Sequence, residues 1–170
     1  MDAPIYERFD TNEGFQAAVD RLMEQPGREL RVFDPDGAAL RLNEPQRIER
    51  LARFLIASRT RRLYLVVHST DHLTRQCPRL LTLLRRFSHA MQINQTHEEI
   101  RELQDAFLLL DAMHYVRRPM ATLFRGAIGL GDETEGQALL RALRGDLGGV
   151  LPGSLEHHGR TVIRGQSPNY

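Results

Sequence analysis

The sequence contains no lysine, no tryptophan and a single cysteine, Cys77. All 23 basic residues are therefore arginine. The absence of lysine excludes a catalytic lysine, a Schiff base and the lysine of a phosphate-binding P-loop. One cysteine cannot form a disulfide within the chain, which is typical of a protein from a reducing compartment.

Two interpretations of Cys77 are open at this point. It precedes Pro78 and lies between Arg75 and Arg79, whose positive charges would lower the pKa of a thiol and make it reactive. The alternative, which we favour, is a small buried residue near the start of a helix.

Long hydrophobic runs are also absent. No apolar segment approaches the roughly 20 residues that cross a membrane, and the first ten residues, MDAPIYERFD, lack a signal-peptide pattern. We therefore expect a cytoplasmic protein without membrane contact. A chain of 170 residues, 41% hydrophobic and 26% charged, favours one globular domain. We expect residues 1–153 to form it and the polar residues 154–170 to form a flexible tail.

Charge is distributed unevenly along the chain. Residues 41–86 contain 11 arginines and three acidic residues, which gives this segment a net charge of +8. The rest of the chain contains 12 arginines and 19 acidic residues, which gives a net charge of −7. A segment with this bias attracts phosphate, nucleic acid or an acidic protein.

Hydrophobic periodicity predicts an alternation of helices and strands. Helices are predicted over residues 12–25, 44–58, 70–89 and 133–147. Strands are predicted at 29–33, 38–42, 62–67, 91–95, in a tight pair within 106–118, and within 122–132. The polar residues 96–104 are predicted to form a loop or a single helical turn.

This order predicts an α/β fold with a mostly parallel, mixed sheet flanked by helices. In such sheets, ligands bind beyond the carboxyl ends of the parallel strands. Three polar groups follow the predicted strands there: Asp34, then His68-Ser69-Thr70, then Asn94-Gln95-Thr96. The stretch around His68 is therefore predicted to lie at the binding end of the sheet.

From residue 29 to residue 150, this element order, with the stretch QDAFLLLDAMHYVRRP, resembles a phospholipase D-like domain. That superfamily carries an H-x-K-x-x-x-x-D motif, followed by a G-S-x-N-type turn. Aligning its aspartate with Asp111 places Gln104 at the histidine and Ala106 at the lysine, and the turn falls near YVRR, with Arg117 or Arg118 at its small and amide positions. Because Gln104 cannot attack phosphorus and the chain has no lysine, the resemblance implies a domain that has lost catalysis.

The resemblance also implies partners. Single-motif phospholipase D-like domains often dimerise, so a homodimer is expected. The chain further resembles a small, uncharacterised bacterial family whose members occur alone or attached to GNAT-type acetyltransferases. Since no acetyl-CoA pyrophosphate loop is present, this implies an accessory binding module that partners such an enzyme or another protein.

We predict a cleft for an anionic group such as phosphate or carboxylate, with no catalytic residue, metal or cofactor. Its predicted residues are His68, Asn94, Gln104, Arg117 and Arg118. An arginine there would bind the anion bidentately. The competing interpretation is that Arg117 and Arg118 form salt bridges with Asp111, Glu98 or Glu99.

Two other functions remain open. The first is a metal- or histidine-assisted hydrolase that uses His68, His72 and Asp111, with His97 or His114 as a further metal ligand or Ser69 or Thr70 as nucleophile. No G-x-S-x-G motif supports the nucleophile.

The second is nucleic-acid binding through the arginines of residues 41–86. It is the weaker prediction because few aromatic residues, Phe54, Tyr64 and Phe87, accompany these arginines. An acidic protein partner would account for the same positive charge.

Overall fold

The structure, a computed structural model, describes residues 3–96, 105–145 and 162–163. Its strands are β1 Ile5–Phe9, β2 Glu29–Asp34, β3 Arg62–Val67, β4 Met91–Gln95, β5 Ala106–Leu110, β6 His114–Arg118, β7 Gly126–Leu130 and β8 Val162–Ile163. Its helices are α1 Asn12–Met23, α2 Pro45–Ile56, α3 Asp71–Gln76, α4 Pro78–Arg86 and α5 Glu133–Gly145. Within the described residues, no helix is long and apolar enough to span a membrane.

The strands form one mixed sheet in the order β1-β7-β6-β5-β2-β3-β4-β8. The predicted α/β fold with flanking helices is confirmed, but the prediction that the sheet is mostly parallel is wrong. Among the described strands, only the pairs β2–β3 and β3–β4 are parallel. The other pairs are antiparallel, and for β5–β6 and β6–β7 the reason is the short connection between consecutive strands, which parallel pairing does not permit.

Each face of the sheet is covered by a separate hydrophobic cluster. The larger cluster joins one face to α1, α2, α3 and α4, through residues such as Phe15, Leu51 and Leu80. The smaller cluster joins the other face, here called the α5 face, to Leu139, Leu140 and Leu143 of α5. The sheet is therefore buried on both sides at its centre, which explains the near-continuous apolar run of β3.

Three local predictions need correction. Residues 38–42 do not form a strand: Ala38–Leu40 form a 3-10 helix between Gly37 and Arg41, both with left-handed backbone angles. The helix predicted over 70–89 is two helices, because Pro78 cannot donate the hydrogen bond that would continue α3. Strand β1 was not predicted, since its residues are mostly exposed and carry no alternation of apolar and polar side chains.

The turn between β5 and β6 is confirmed. Asp111 and Ala112 both adopt left-handed backbone angles, φ 56° and 52°, and are the central residues of a turn in which Met113 donates its backbone N–H to Leu110 at 3.1 Å. Since Leu110 pairs with His114, the hairpin loop has three residues. The predicted loop at 97–104 and most of the predicted tail lie outside the described residues. Within that predicted tail, Val162–Ile163 pair with β4.

Candidate functional site

The carboxyl ends of β2, β3 and β4 meet at one end of the sheet, as predicted. Phe33 is aligned with Val66, and Val66 with Asn94. Side chains alternate along each strand, so Asn94 lies on the α5 face while Asp34 points to the opposite face. The sequence therefore located this end correctly, but the polar side chains divide between the two faces.

His68 is held firmly at this end. Its Nδ1 lies 2.7 Å from the hydroxyl oxygen of Thr96 in a buried hydrogen bond. Its ring makes an edge-to-face contact with Phe33, with the ring centres 5.3 Å apart, and its backbone N–H donates to Pro35 at 2.9 Å. These contacts fit a buried histidine that joins β3 to the end of β4.

Arg117 and Arg118 lie on opposite faces of the sheet, as strand alternation requires. Arg118 is 2% exposed. Its guanidinium donates to the carboxylate of Asp34 at 2.7 Å and to the carbonyl of Ala121 at 2.7 Å, and it stacks 4.4 Å from the ring centre of Phe15. Burial raises the pKa of the Asp34 carboxyl, and the adjacent guanidinium and two backbone N–H groups oppose that change.

Arg117 lies on the α5 face and is partly exposed. It donates to Asp105 at 2.9 and 3.2 Å and to Glu135 of α5 at 3.3 Å. The hydrogen bond to Asp105 raises the pKa of the guanidinium. Salt bridges do engage both arginines, as the competing interpretation held, but with partners other than Asp111.

The five predicted cleft residues are thus separated. His68, Asn94 and Arg117 lie on the α5 face, Arg118 lies on the other face, and Gln104 lies outside the described residues. The alternation of Arg117 and Arg118 was visible in the sequence. Their carboxylate partners were not, because Asp34 is 84 residues from Arg118 along the chain.

The hydrolase alternative requires Asp111 beside His68, and the structure places the two at opposite ends of the sheet; His97 lies outside the described residues. Asp111 lies beyond the far end of β5, roughly 17 Å of strand away from the end that holds His68. Its carboxylate accepts hydrogen bonds from the backbone N–H groups of Arg28 and Glu29, both at 2.9 Å. His114 is also at that far end, where its Nδ1 accepts a hydrogen bond from Gly131.

Metal binding and thiol chemistry find no support in the described residues. Across residues 3–96, 105–145 and 162–163, no three His, Cys, Asp or Glu side chains are grouped to hold one metal ion. Cys77 is buried, and burial raises the pKa of its thiol. The burial of Cys77 agrees with the interpretation that we favoured, a small buried residue near the start of a helix.

A groove that we did not predict lies next to Arg117 on the α5 face. Its volume is about 390 Å³. Arg8 of β1 and Arg117 of β6 both align with Ala127 of β7, which lies between them. Because Ala127 is small, the two arginines form the walls of a trough roughly 10 Å across.

Further along β7, the ring of Tyr115 covers Gly129 and closes the trough. The ring fits there because Gly129 has no side chain, since an added Cβ would lie 2.3 Å from it. Tyr6 of β1 aligns with Gly129 on the other side. One signal in the sequence could have indicated this groove. The strand GAIGL has small residues at the alternate positions 127 and 129, and the strands beside it carry large residues.

The mouth of the groove combines charge with apolar surface. Its remaining lining includes Pro119, Met120, Leu123 and Arg125. Among the described residues, no carboxylate forms an ion pair with Arg8 or Arg125. Two guanidinium groups therefore keep their positive charge beside an apolar wall, an arrangement suited to a ligand with an anionic head.

The fold and the groove define a mixed α/β domain with a concavity beside β1, β6 and β7. Residues 11–144 match the family described as "Domain of unknown function (DUF7931)", and the chain belongs to that family. No curated protein matches the chain.

Among solved structures, the chain is similar to TrmBL2, described as an archaeal chromatin protein that shows a novel mode of DNA binding. The TM-score is 0.53 at 7% identity, over 82% of this chain and 50% of the other. The likeness shows a shared fold, and this chain spans only half the length of the archaeal protein.

Proposed function

We propose that this domain is a non-catalytic, phospholipase D-like module that binds an anionic ligand with an apolar portion. The observation that carries the proposal is the groove, in which Arg8 and Arg125 flank an apolar wall. A phosphate or carboxylate would be bound by these two guanidinium groups. The element order from β2 to β6 supports the phospholipase D-like assignment.

The apolar portion of the ligand would contact exposed hydrophobic side chains. Tyr6, Met120 and Leu123 are 59%, 52% and 47% exposed, and all three line the groove. Large exposed apolar side chains that gather beside a concavity commonly mark a binding site.

Arg117 is one of the predicted cleft residues and also lines this groove. Its guanidinium is already engaged by Asp105 and Glu135, so a second anion would meet two carboxylates there. The anionic head is therefore better placed between Arg8 and Arg125, on the side away from Asp105. A homodimer and an acetyltransferase partner stay predictions from the resemblance.

The proposal is tested by thermal unfolding in the presence of octyl phosphate, octanoate and inorganic phosphate. Octyl phosphate is expected to raise the melting temperature by several degrees when present at about 100 times its dissociation constant. Inorganic phosphate is expected to raise it less, since it lacks the apolar portion.

The variant Arg8→Gln/Arg125→Gln is expected to lose the shift, and Ala127→Leu to lose it without changing the charge. Arg21→Gln/Arg41→Gln is the matched control, because both arginines are exposed and paired with carboxylates outside the groove. A shift that survives Arg8→Gln/Arg125→Gln, or no shift with any of the three probes, would contradict the proposal.

A further inference from the structure

A second basic surface lies at the amino ends of the parallel strands β2, β3 and β4, opposite the carboxyl ends that hold His68. Glu29 is aligned with Arg62, and Leu63 with Met91, so the amino ends of β2, β3 and β4 are level and span roughly 10 Å. Six arginines precede or begin these strands, here called the arginine edge: Arg28, Arg59, Arg61, Arg62, Arg85 and Arg86.

The arginine edge keeps its positive charge. Among the described residues, none of its arginines forms an ion pair with a carboxylate. Arg62 donates instead to the carbonyls of Arg59 and Arg61, both at 2.8 Å. Two acidic side chains at this end of the sheet have other partners, Glu29 in Arg31 and Asp111 in backbone N–H groups.

Two of these guanidinium groups are positioned by aromatic rings. Arg61 lies 5.0 Å from the ring centre of Phe54, and Arg86 lies 4.9 Å from that of Phe87. Both rings belong to the buried core, so each arginine is held at the surface by a fixed partner. These contacts restrict the side-chain conformations of Arg61 and Arg86 and leave their positive charges in place.

Helix dipoles account for part of this cluster only. Arg85 and Arg86 occupy the last turn of α4, where positive charge is favourable. Arg28, Arg59 and Arg61 lie outside the helices and gain no such stabilisation. Their presence at the same edge calls for a further cause.

We infer that the arginine edge binds the phosphodiester backbone of duplex DNA. An acidic protein partner would need an apolar anchor at the centre of its interface. Of the exposed large hydrophobic residues, only Ile56 belongs to a helix that ends here, and one side chain is a small anchor. Single strands would need exposed aromatic rings, whereas Phe54 and Phe87 are buried and the Tyr64 ring is covered by Arg31, 5.4 Å from its centre. Charge with so little apolar or aromatic surface suits a phosphate backbone.

The test measures binding of a short fluorescein-labelled DNA duplex by fluorescence anisotropy, from about 50 to about 200 mM salt. Each arginine–phosphate contact contributes a slope of about −0.9 in the plot of log affinity against log salt. The variant Arg28→Gln/Arg59→Gln/Arg85→Gln/Arg86→Gln is therefore expected to bind at least about tenfold more weakly. Its slope should be shallower by about 3 to 4.

The control Arg21→Gln/Arg41→Gln/Arg141→Gln/Arg144→Gln has the same net charge but leaves both the arginine edge and the groove intact. It is expected to bind duplex DNA as the unmodified protein does. Equal losses in both variants, equal binding of a single strand of the same length, or no binding at about 50 mM salt would overturn the inference.

Thermal unfolding of both variants checks that they are folded. If the edge variant fails to fold, Arg59→Gln/Arg85→Gln removes two exposed side chains that make no hydrogen bond within the described residues. Its slope is expected to be shallower by about 2, and an unchanged slope would overturn the inference. The groove variants of the proposed function leave this surface untouched, so the two proposals fail independently.

Discussion

At the scale of single residues, two neighbouring arginines have different roles. Arg118 is buried, with its charge compensated by Asp34 at 2.7 Å and its guanidinium stacked on Phe15. Arg117 is partly exposed to solvent and bridges Asp105 to Glu135. A buried ion pair becomes strongly unfavourable when only one partner is removed, whereas an exposed pair contributes little.

Replacing Arg118 by alanine is therefore expected to lower the free energy of unfolding by about 3–5 kcal/mol, because the Asp34 carboxylate stays buried without its partner. Arg117→Ala should lower it by about 1 kcal/mol or less. Urea denaturation measures both values. The double variant Asp34→Asn/Arg118→Met should lose less stability than the sum of the losses in Asp34→Asn and Arg118→Met measured separately, and strict additivity would show that the two groups do not interact.

At the scale of elements, the β5–β6 hairpin explains Asp111 without catalysis. Its left-handed backbone makes the tight turn, and its carboxylate accepts from the backbone N–H groups of Arg28 and Glu29 at the start of β2. The aspartate thus fixes the hairpin beside β2, its neighbour in the sheet.

Asp111→Ala is expected to lower the free energy of unfolding by about 2 kcal/mol, since it removes these hydrogen bonds and places alanine in a left-handed conformation. Asp111→Asn should lower the free energy of unfolding by less, because asparagine tolerates the left-handed backbone conformation. Denaturation gives the stabilities, and thermal shift with octyl phosphate gives binding. Loss of binding in Asp111→Ala with unchanged stability would show that Asp111 belongs to a functional site.

At the scale of the whole molecule, the sheet separates two basic surfaces. The groove lies at the end of the sheet where β6 ends and β7 begins. The arginine edge lies at the other end, beside β2, β3 and β4. Three strands with buried side chains separate the centres of the two surfaces, and no described side chain belongs to both.

The two surfaces are therefore expected to bind their ligands independently. Saturating octyl phosphate should change the affinity for duplex DNA by less than about twofold, because neither ligand contacts the other's site. Anisotropy titrations with and without octyl phosphate measure this. A larger change would show that one ligand alters the surface of the other, and linkage requires the reciprocal change in octyl phosphate affinity.

The sequence by itself determined the elements whose cause is local. Helical spacing located α1, α2 and α5, the apolar run located β3, and Asp111 marked a tight turn. It also located His68 at the carboxyl end of a strand, because strand order alone sets that position in an α/β sheet.

Only the tertiary structure decided which polar groups meet. Asp34 and Arg118 are 84 residues apart in the chain, and the groove joins β1, near the amino terminus, to β6 and β7. The sequence could not reveal that β1 completes the sheet, since an exposed edge strand carries no hydrophobic period. Contacts between distant segments depend on strand order and register, which local patterns do not encode.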